Sequence, residues 1–271
     1  MLFKRFVKDL KRYFPYSVRF AKSQLKTEVA GSYLGWIWWV LQPLCLMFVY
    51  SLVFGVFFNA REEYMSLFIF IGLTLWNFFS HTINHSVKMI SANKSMLMKV
   101  YVPKFIYPLT KVLSASINVL LSMIPLILVT LIYGLIANPH LFISKSIVLL
   151  PFALLFLLVF CLGIGFLLSC LMAFFHDIEF LWGVISTVWM YGTPIIYSLS
   201  MFEGKADWLI TVIKFNPMYH LVELLRGIIM GNAVGTPTIP EFLISAFCAA
   251  IMFAFGYFVF KKNEDKFILY L

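Results

Sequence analysis

Apolar residues gather into six long runs separated by shorter polar stretches, at about residues 33–57, 64–85, 105–133, 143–174, 180–199 and 242–260. Crossing the roughly 30 Å hydrocarbon core of a bilayer takes about 20 helical residues, and each run reaches that length or comes near it. The pattern predicts an all-α polytopic membrane protein with six transmembrane helices. Residues 2–14 obey a different rule. Leu2, Phe3, Phe6, Val7, Leu10, Tyr13 and Phe14 share one helical face, while Lys4, Arg5, Lys8, Lys11 and Arg12 fill the other. That predicts an amphipathic helix lying in the inner membrane interface, held by apolar burial and attraction to anionic lipid. Pro15 is expected to end it, and a second basic amphipathic stretch, about 17–30, leads into the membrane. The chain thus divides into an N-terminal interface segment, 1–32, and a six-helix body, 33–271.

Residues 200–240, between the fifth and sixth runs, break the pattern. Trp208 to Ile213 and Met218 to Met230 are apolar but too short to cross, and Asn216-Pro217 between them interrupts a helix. Two short re-entrant helices dipping into the outer leaflet fit this segment, provided protein or water lies beside them.

Composition agrees with a membrane solvent: 62% of the 271 residues are hydrophobic and 12% charged. The net charge of +9 is distributed in a way that points to a membrane surface rather than to nucleic acid. Eight basic residues precede the first run, five more (Lys88, Lys94, Lys99, Lys104, Lys111) surround the connection 86–104, and Lys261, Lys262 and Lys266 mark the tail. Cytoplasmic loops collect Lys and Arg, so both termini are expected inside and the number of spans even. Cys45, Cys161, Cys170 and Cys248 all fall in apolar runs without metal-ligand spacing, and read as small buried hydrophobes.

Catalytic chemistry is nearly absent from the sequence. No P-loop, Gly-x-Ser-x-Gly or dinucleotide fingerprint occurs. His81 and His85 stand at i and i+4, but a zinc-protease helix needs a glutamate between them, and Thr82, Ile83 and Asn84 stand there instead. The polar stripe Thr74, Asn77, His81, Asn84, His85 and Lys88, and its counterpart Lys111, Ser114, Asn118 and Ser122, should face the bundle interior, another subunit or a wet path. Interhelical hydrogen bonds that simply hold the bundle would use the same residues. Asp177 and Glu179 read as a solvated turn contacting a partner. Glu223 and Arg226 are spaced to pair across one helical turn, as a surface pair or as a fixed charge near an exit path.

Specific strings carry a family resemblance over nearly the whole chain. Ser32-Tyr33-Leu34-Gly35-Trp36-Ile37-Trp38 with Gln42-Pro43-Leu44 resembles the start of type-2 ABC exporter permeases that move polysaccharides. Phe175-His176-Asp177-Ile178 is similar to their Phe-Arg-Asp-Ile/Val turn, with His176 in place of the arginine. Thr193-Pro194-Ile195-Ile196-Tyr197 resembles their Ser/Thr-Pro-Ile-Ile-Tyr signature, and Asn216-Pro217-Met218-Tyr219 with Arg226 their last outer-loop element.

The resemblance implies a homodimeric permease working with two copies of a separate ATP-binding subunit, which holds the ATP and magnesium; no cofactor belongs to this chain. It implies export of a polysaccharide of O-antigen, capsule or teichoic-acid type, on a polyprenyl-diphosphate lipid, across a bacterial cytoplasmic membrane. Contact with the ATPase is carried over to Ser91, Lys94, Met98 and Lys99 of a coupling helix, with His176, Asp177 and Glu179 as a second contact. The outer gate would comprise Asn216, Pro217, Tyr219, Glu223 and Arg226. Asn77, His81, Asn118, Thr193 and Tyr197 are the candidates for lining a channel. Two other readings are a type-2 ABC permease for drugs or lipids, and a membrane-embedded glycosyl- or acyltransferase using His81, His85 or Asp177.

Overall fold

The computed structural model describes residues 2–53, 64–94, 99, 102–136, 145–202, 204 and 206–267. All regular structure among them is helical: α1 (Leu2–Val29), α2 (Trp38–Leu52), α3 (Met65–Ala92), α4 (Ile106–Ile136), α5 (Leu150–Phe174), α6 (Ile178–Tyr191), α7 (Asp207–Lys214), α8 (Pro217–Val234) and α9 (Ile239–Asn263). Among the described residues, four segments are long and apolar enough to cross a bilayer: Met65–Ala92, Ile106–Ile132, Ser146–Phe174 and Ile239–Lys266. The stretches expected as first and fifth spans contain shorter apolar helices, Gly35–Val49 and Ile178–Tyr191.

α3 is the centre of the bundle. Leu67, Ile71, Phe79 and Ile83 are fully buried, and residues of α4, α5 and α8 complete the same core. α5 and α9 lie against each other at two glycines. A side-chain carbon on Gly256 would overlap the Gly163 carbonyl, and one on Gly163 would overlap the backbone of Met252. Glycine is used here to let two backbones touch, as membrane helices commonly do.

α1 differs from expectation, because Pro15 does not end it. The helix continues through the proline to Val29. Proline removes one hydrogen bond, to the Lys11 carbonyl, and both Lys11 and Pro15 lie on the exposed face where solvent can take that carbonyl. The opposite stripe, Ser17, Ala21 and Leu25, is buried at four-residue spacing, and Phe20 meets Tyr107 of α4 edge-on at 6.2 Å. Arg12, Arg19, Lys22 and Lys26 remain exposed.

α6 also departs from the sequence pattern, stopping at Tyr191 rather than running to 199. A residue before proline avoids the helical region, and Pro194 lacks the N–H to continue the ladder. The Thr193 N–H turns back to the Met190 carbonyl at 3.2 Å, and the chain leaves the helix. Helices flank Asn216-Pro217 on both sides: α7, of eight residues, and α8, of 18, which is longer than the short helix expected there. Asn216 caps α8 by accepting from the Met218 N–H at 3.0 Å, with Pro217 in the first turn. α8 buries Leu221, Val222, Leu224, Leu225 and Ile228 in the central core.

Replacing Gly256 with valine is expected to force α5 and α9 apart. Overpacking of this kind costs roughly 1–3 kcal/mol, so the purified variant should unfold at a lower temperature in detergent than the parent. Gly183→Ala, where a side chain would meet nothing within 4 Å, should not.

Candidate functional site

The break in α6 leaves backbone carbonyls inside the protein, and unpaired buried carbonyls are costly. Arg226 of α8 answers this. Its side chain is fully buried. One terminal nitrogen donates to the Pro194 carbonyl at 2.7 Å and to the Glu223 carboxylate at 2.7 Å. The other donates to the carbonyls of Ile195 at 3.0 Å and Phe68 at 3.3 Å. The guanidinium also lies 3.4 Å from the centre of the Phe68 ring, a cation–π contact with water removed. Gly72 makes room: a side-chain carbon there would sit 2.8 Å from the guanidinium nitrogen.

Asn216 closes the same junction from the other side. Its amide oxygen accepts from the Trp189 indole at 2.8 Å as well as from Met218. Its amide nitrogen donates to the Thr193 hydroxyl at 2.8 Å and to the Gly192 carbonyl at 3.2 Å. Both hydrogens and both lone pairs of the side chain are thereby used. Arg226 and Asn216 together hold the end of α6 to α8 and α3.

A second constellation sits at the opposite end of α6. A cavity of about 640 Å³ opens between α1, α3, α4 and α6. Lys111, nearly inaccessible on α4, is ion-paired with Glu28 at the end of α1. Lys88 of α3 pairs with Glu179 of α6 at 2.5 Å. The Trp182 indole donates to Asn84 at 3.0 Å. The His81 and His85 ring centres lie 4.3 Å apart with the rings tilted 33° to each other, and no group of three metal-ligating side chains occurs among the described residues. A smaller void of about 80 Å³ is bordered by Trp39, Gln42, Asn77, His81, Asn118 and Ser122.

Comparison with known families adds what geometry alone does not supply. Residues 20–230, most of the chain, match the family described as ABC-2 type transporter. The chain belongs to that family. An ABC-2 transporter couples a membrane component such as this to an ATP-binding subunit. Relatives among characterised proteins extend the match almost end to end. The O-antigen export system permease protein RfbA of Myxococcus xanthus is 25% identical over 263 residues, 97% of this chain and 98% of its own length. A protein of the same name from Klebsiella pneumoniae is 28% identical over 90% of each chain. The capsule polysaccharide export inner-membrane protein CtrC of Neisseria meningitidis serogroup A is 24% identical over 86% of this chain and 85% of its own.

Within this ABC-2 transporter, the residues picked out in the sequence fall into three places. Glu223 and Arg226 pair at the junction of α6 and α8, where Asn216 is joined to Thr193, while Pro217 and Tyr219 lie in the first turn of α8. Tyr197 lies nearby, donating to the Tyr191 carbonyl at 2.8 Å. Asn77, His81 and Asn118 border the small void, apart from Thr193 and Tyr197. His176 and Asp177 are exposed at the start of α6, and Glu179 enters its first turn and the larger cavity. Ser91 is in the last turn of α3, and Lys94 and Lys99 are exposed. Met98 lies outside the described residues.

Two features escaped the sequence reading. The burial of Arg226 was unexpected, although a lone arginine in a strongly apolar stretch and a proline in a predicted span were each signals of a carbonyl–guanidinium match. Glu28, an acidic residue in a strongly basic helix, neutralises Lys111. Substituting Arg226 by methionine strips the Pro194 and Ile195 carbonyls of their donor and isolates Glu223, at a cost of about 3 kcal/mol or more. Arg226→Lys should recover only part of the loss, because a single ammonium cannot span the same acceptors. Thermal unfolding of the three purified proteins in detergent ranks them parent, lysine, methionine.

Proposed function

We propose that this chain is the membrane-spanning permease of an ATP-driven exporter that carries lipid-linked polysaccharide, of the O-antigen or capsule kind, from the inner to the outer face of a bacterial cytoplasmic membrane. The observation that carries the proposal is the near full-length match to export permeases. A polysaccharide permease from Myxococcus xanthus aligns with 97% of the chain, so the likeness covers the interface segment and the outer-loop element as well as the apolar helices. The near-empty catalytic inventory is in keeping with a conduit whose energy is supplied by a partner.

In this proposal two copies of the chain assemble with two ATP-binding subunits, which carry the ATP and magnesium. The substrate is a glycan on a polyprenyl diphosphate. Six segments cross the bilayer, the shorter α2 and α6 among them, with both termini in the cytoplasm. α1 lies in the inner interface, where its exposed lysines and arginines suit anionic lipid. The connection 86–104 and the turn His176–Glu179 dock on the ATPase. α7 and α8 enter the outer leaflet without crossing it and form the outer gate. The irregular backbone beside them is tolerable at that depth because side chains satisfy it.

Deleting the gene should leave the glycan made but trapped in the cytoplasm, read by fractionation and surface staining, with the full-length gene restoring display. Normal surface glycan in the deletion strain, with sensitivity to a drug instead, would replace polysaccharide by another cargo. The purified chain alone should hydrolyse no ATP and should capture a P-loop protein from its own cells. Reporter fusions at the two termini should both report a cytoplasmic location.

A further inference from the structure

The 640 Å³ cavity at the inner end of α6 has a size ordinary for small-molecule sites, roughly 300–1,000 Å³. Its chemistry selects among ligands. The lysines and carboxylates on its wall are Lys88, Lys111, Glu28 and Glu179, and they cancel in pairs. A phosphate or diphosphate needs a cation that is not already neutralised. Seating one here would pull Lys111 from Glu28 and leave a carboxylate facing the new anion. The wall therefore disfavours any phosphate-bearing group, the head groups of phospholipids included.

What the wall does offer is hydrogen-bond acceptors. Each carboxylate has a second oxygen with no partner among the described residues. The Thr27 hydroxyl spends its hydrogen on the Ser23 carbonyl at 3.0 Å, which leaves its lone pairs. The His85 ring gives Nδ1–H to the His81 carbonyl at 3.0 Å, so the neutral ring presents Nε2 as an acceptor. Trp182 has its N–H occupied by Asn84 and contributes ring surface instead. An uncharged ring that carries several hydroxyl donors and apolar C–H faces matches this wall, and that is a sugar.

We infer that the cavity is a subsite for an uncharged sugar residue of the exported glycan, bound at the inner face and apart from wherever the carrier's phosphates are held. The inference rests on the export reading above. It assigns Thr27, Glu28, His85 and Glu179 as acceptors and Trp182 as the stacking wall.

Ser23 is exposed on the α1 side of the cavity and can report its occupancy. Full-length Ser23→Cys protein in lipid nanodiscs is alkylated with a small maleimide, and peptide mass spectrometry separates that position from the exposed native Cys45. The probe is uncharged oligosaccharide released by mild acid from the producing cells' surface polysaccharide, with inorganic pyrophosphate as the counter-probe. The oligosaccharide should slow alkylation saturably, and pyrophosphate should not; Cys45 should be indifferent to both. Thr27→Val and Glu179→Gln, each added to Ser23→Cys, should weaken the protection roughly two- to tenfold in apparent affinity, the loss of one hydrogen bond. Protection by pyrophosphate, no protection by oligosaccharide, or unchanged affinity in both variants overturns the subsite. Deletion of the gene separates this from the wider reading. Surface polysaccharide that persists without the gene ends the export proposal itself, whereas polysaccharide lost from the surface with no protection at Ser23→Cys removes only the subsite.

Discussion

Backbone carbonyls released where α6 breaks lie out of reach of water, and the Arg226 guanidinium satisfies them. Everything at that end of the molecule follows from this constraint. A charge buried so completely needs several partners at once, and a planar fork with donors on both sides can serve Pro194, Ile195, Phe68 and Glu223 together. The fork in turn demands space, which Gly72 leaves on α3. Three helices are thus committed to one geometry by a single side chain. Asn216 repeats the logic on a smaller scale, capping α8 while holding Trp189 and Thr193.

How much of this could be read from the sequence depended on whether the signal was local. A run of apolar residues states its own length, so α3, α4, α5 and α9 were foreseeable as long membrane helices. Asn216-Pro217 was foreseeable as a helix start, because capping and the fixed proline φ are decided within a few residues. The same kind of signal misled at Pro15. Whether a proline stops a helix depends on what receives the freed carbonyl, and at Pro15 that is settled by exposure. At Pro194 the apolar run continued through the break, so periodicity overran it.

Tertiary partners were beyond reach of pattern. The spacing of Glu223 and Arg226 gave their pairing but nothing of the carbonyls around them, which come from α3 and from the end of α6. Glu28 and Lys111 are 83 positions apart, and no window of sequence joins them. Charge counting set Lys111 in a polar stripe without showing that α1 neutralises it. That pairing, with Lys88–Glu179, leaves the 640 Å³ cavity electrically balanced rather than basic, even though the chain as a whole carries +9.

The two constellations are linked by α6. At its first turns Glu179 is tied to Lys88 and Trp182 to Asn84, both on α3. At its far end Trp189 and Thr193 are tied to Asn216, and the segment beyond to Arg226. Between these ties the helix leaves Leu181, Val184, Ile185 and Val188 exposed and buries little beyond Trp182 and Ser186. This helix of 14 residues packs mainly through Trp182 and Trp189 on Phe79 and is fixed by polar groups at both ends. The fixings at the start of α6 are an exposed ion pair, worth about 1 kcal/mol or less, and one neutral hydrogen bond, worth about 0.5–1.5 kcal/mol. Those at its far end combine neutral bonds from Asn216 with two buried, charge-assisted bonds from Arg226 to the Pro194 and Ile195 carbonyls, and the latter are the stronger. The ties at the start of α6 are therefore the weaker ones, and the Arg226 junction is where the segment is held most firmly.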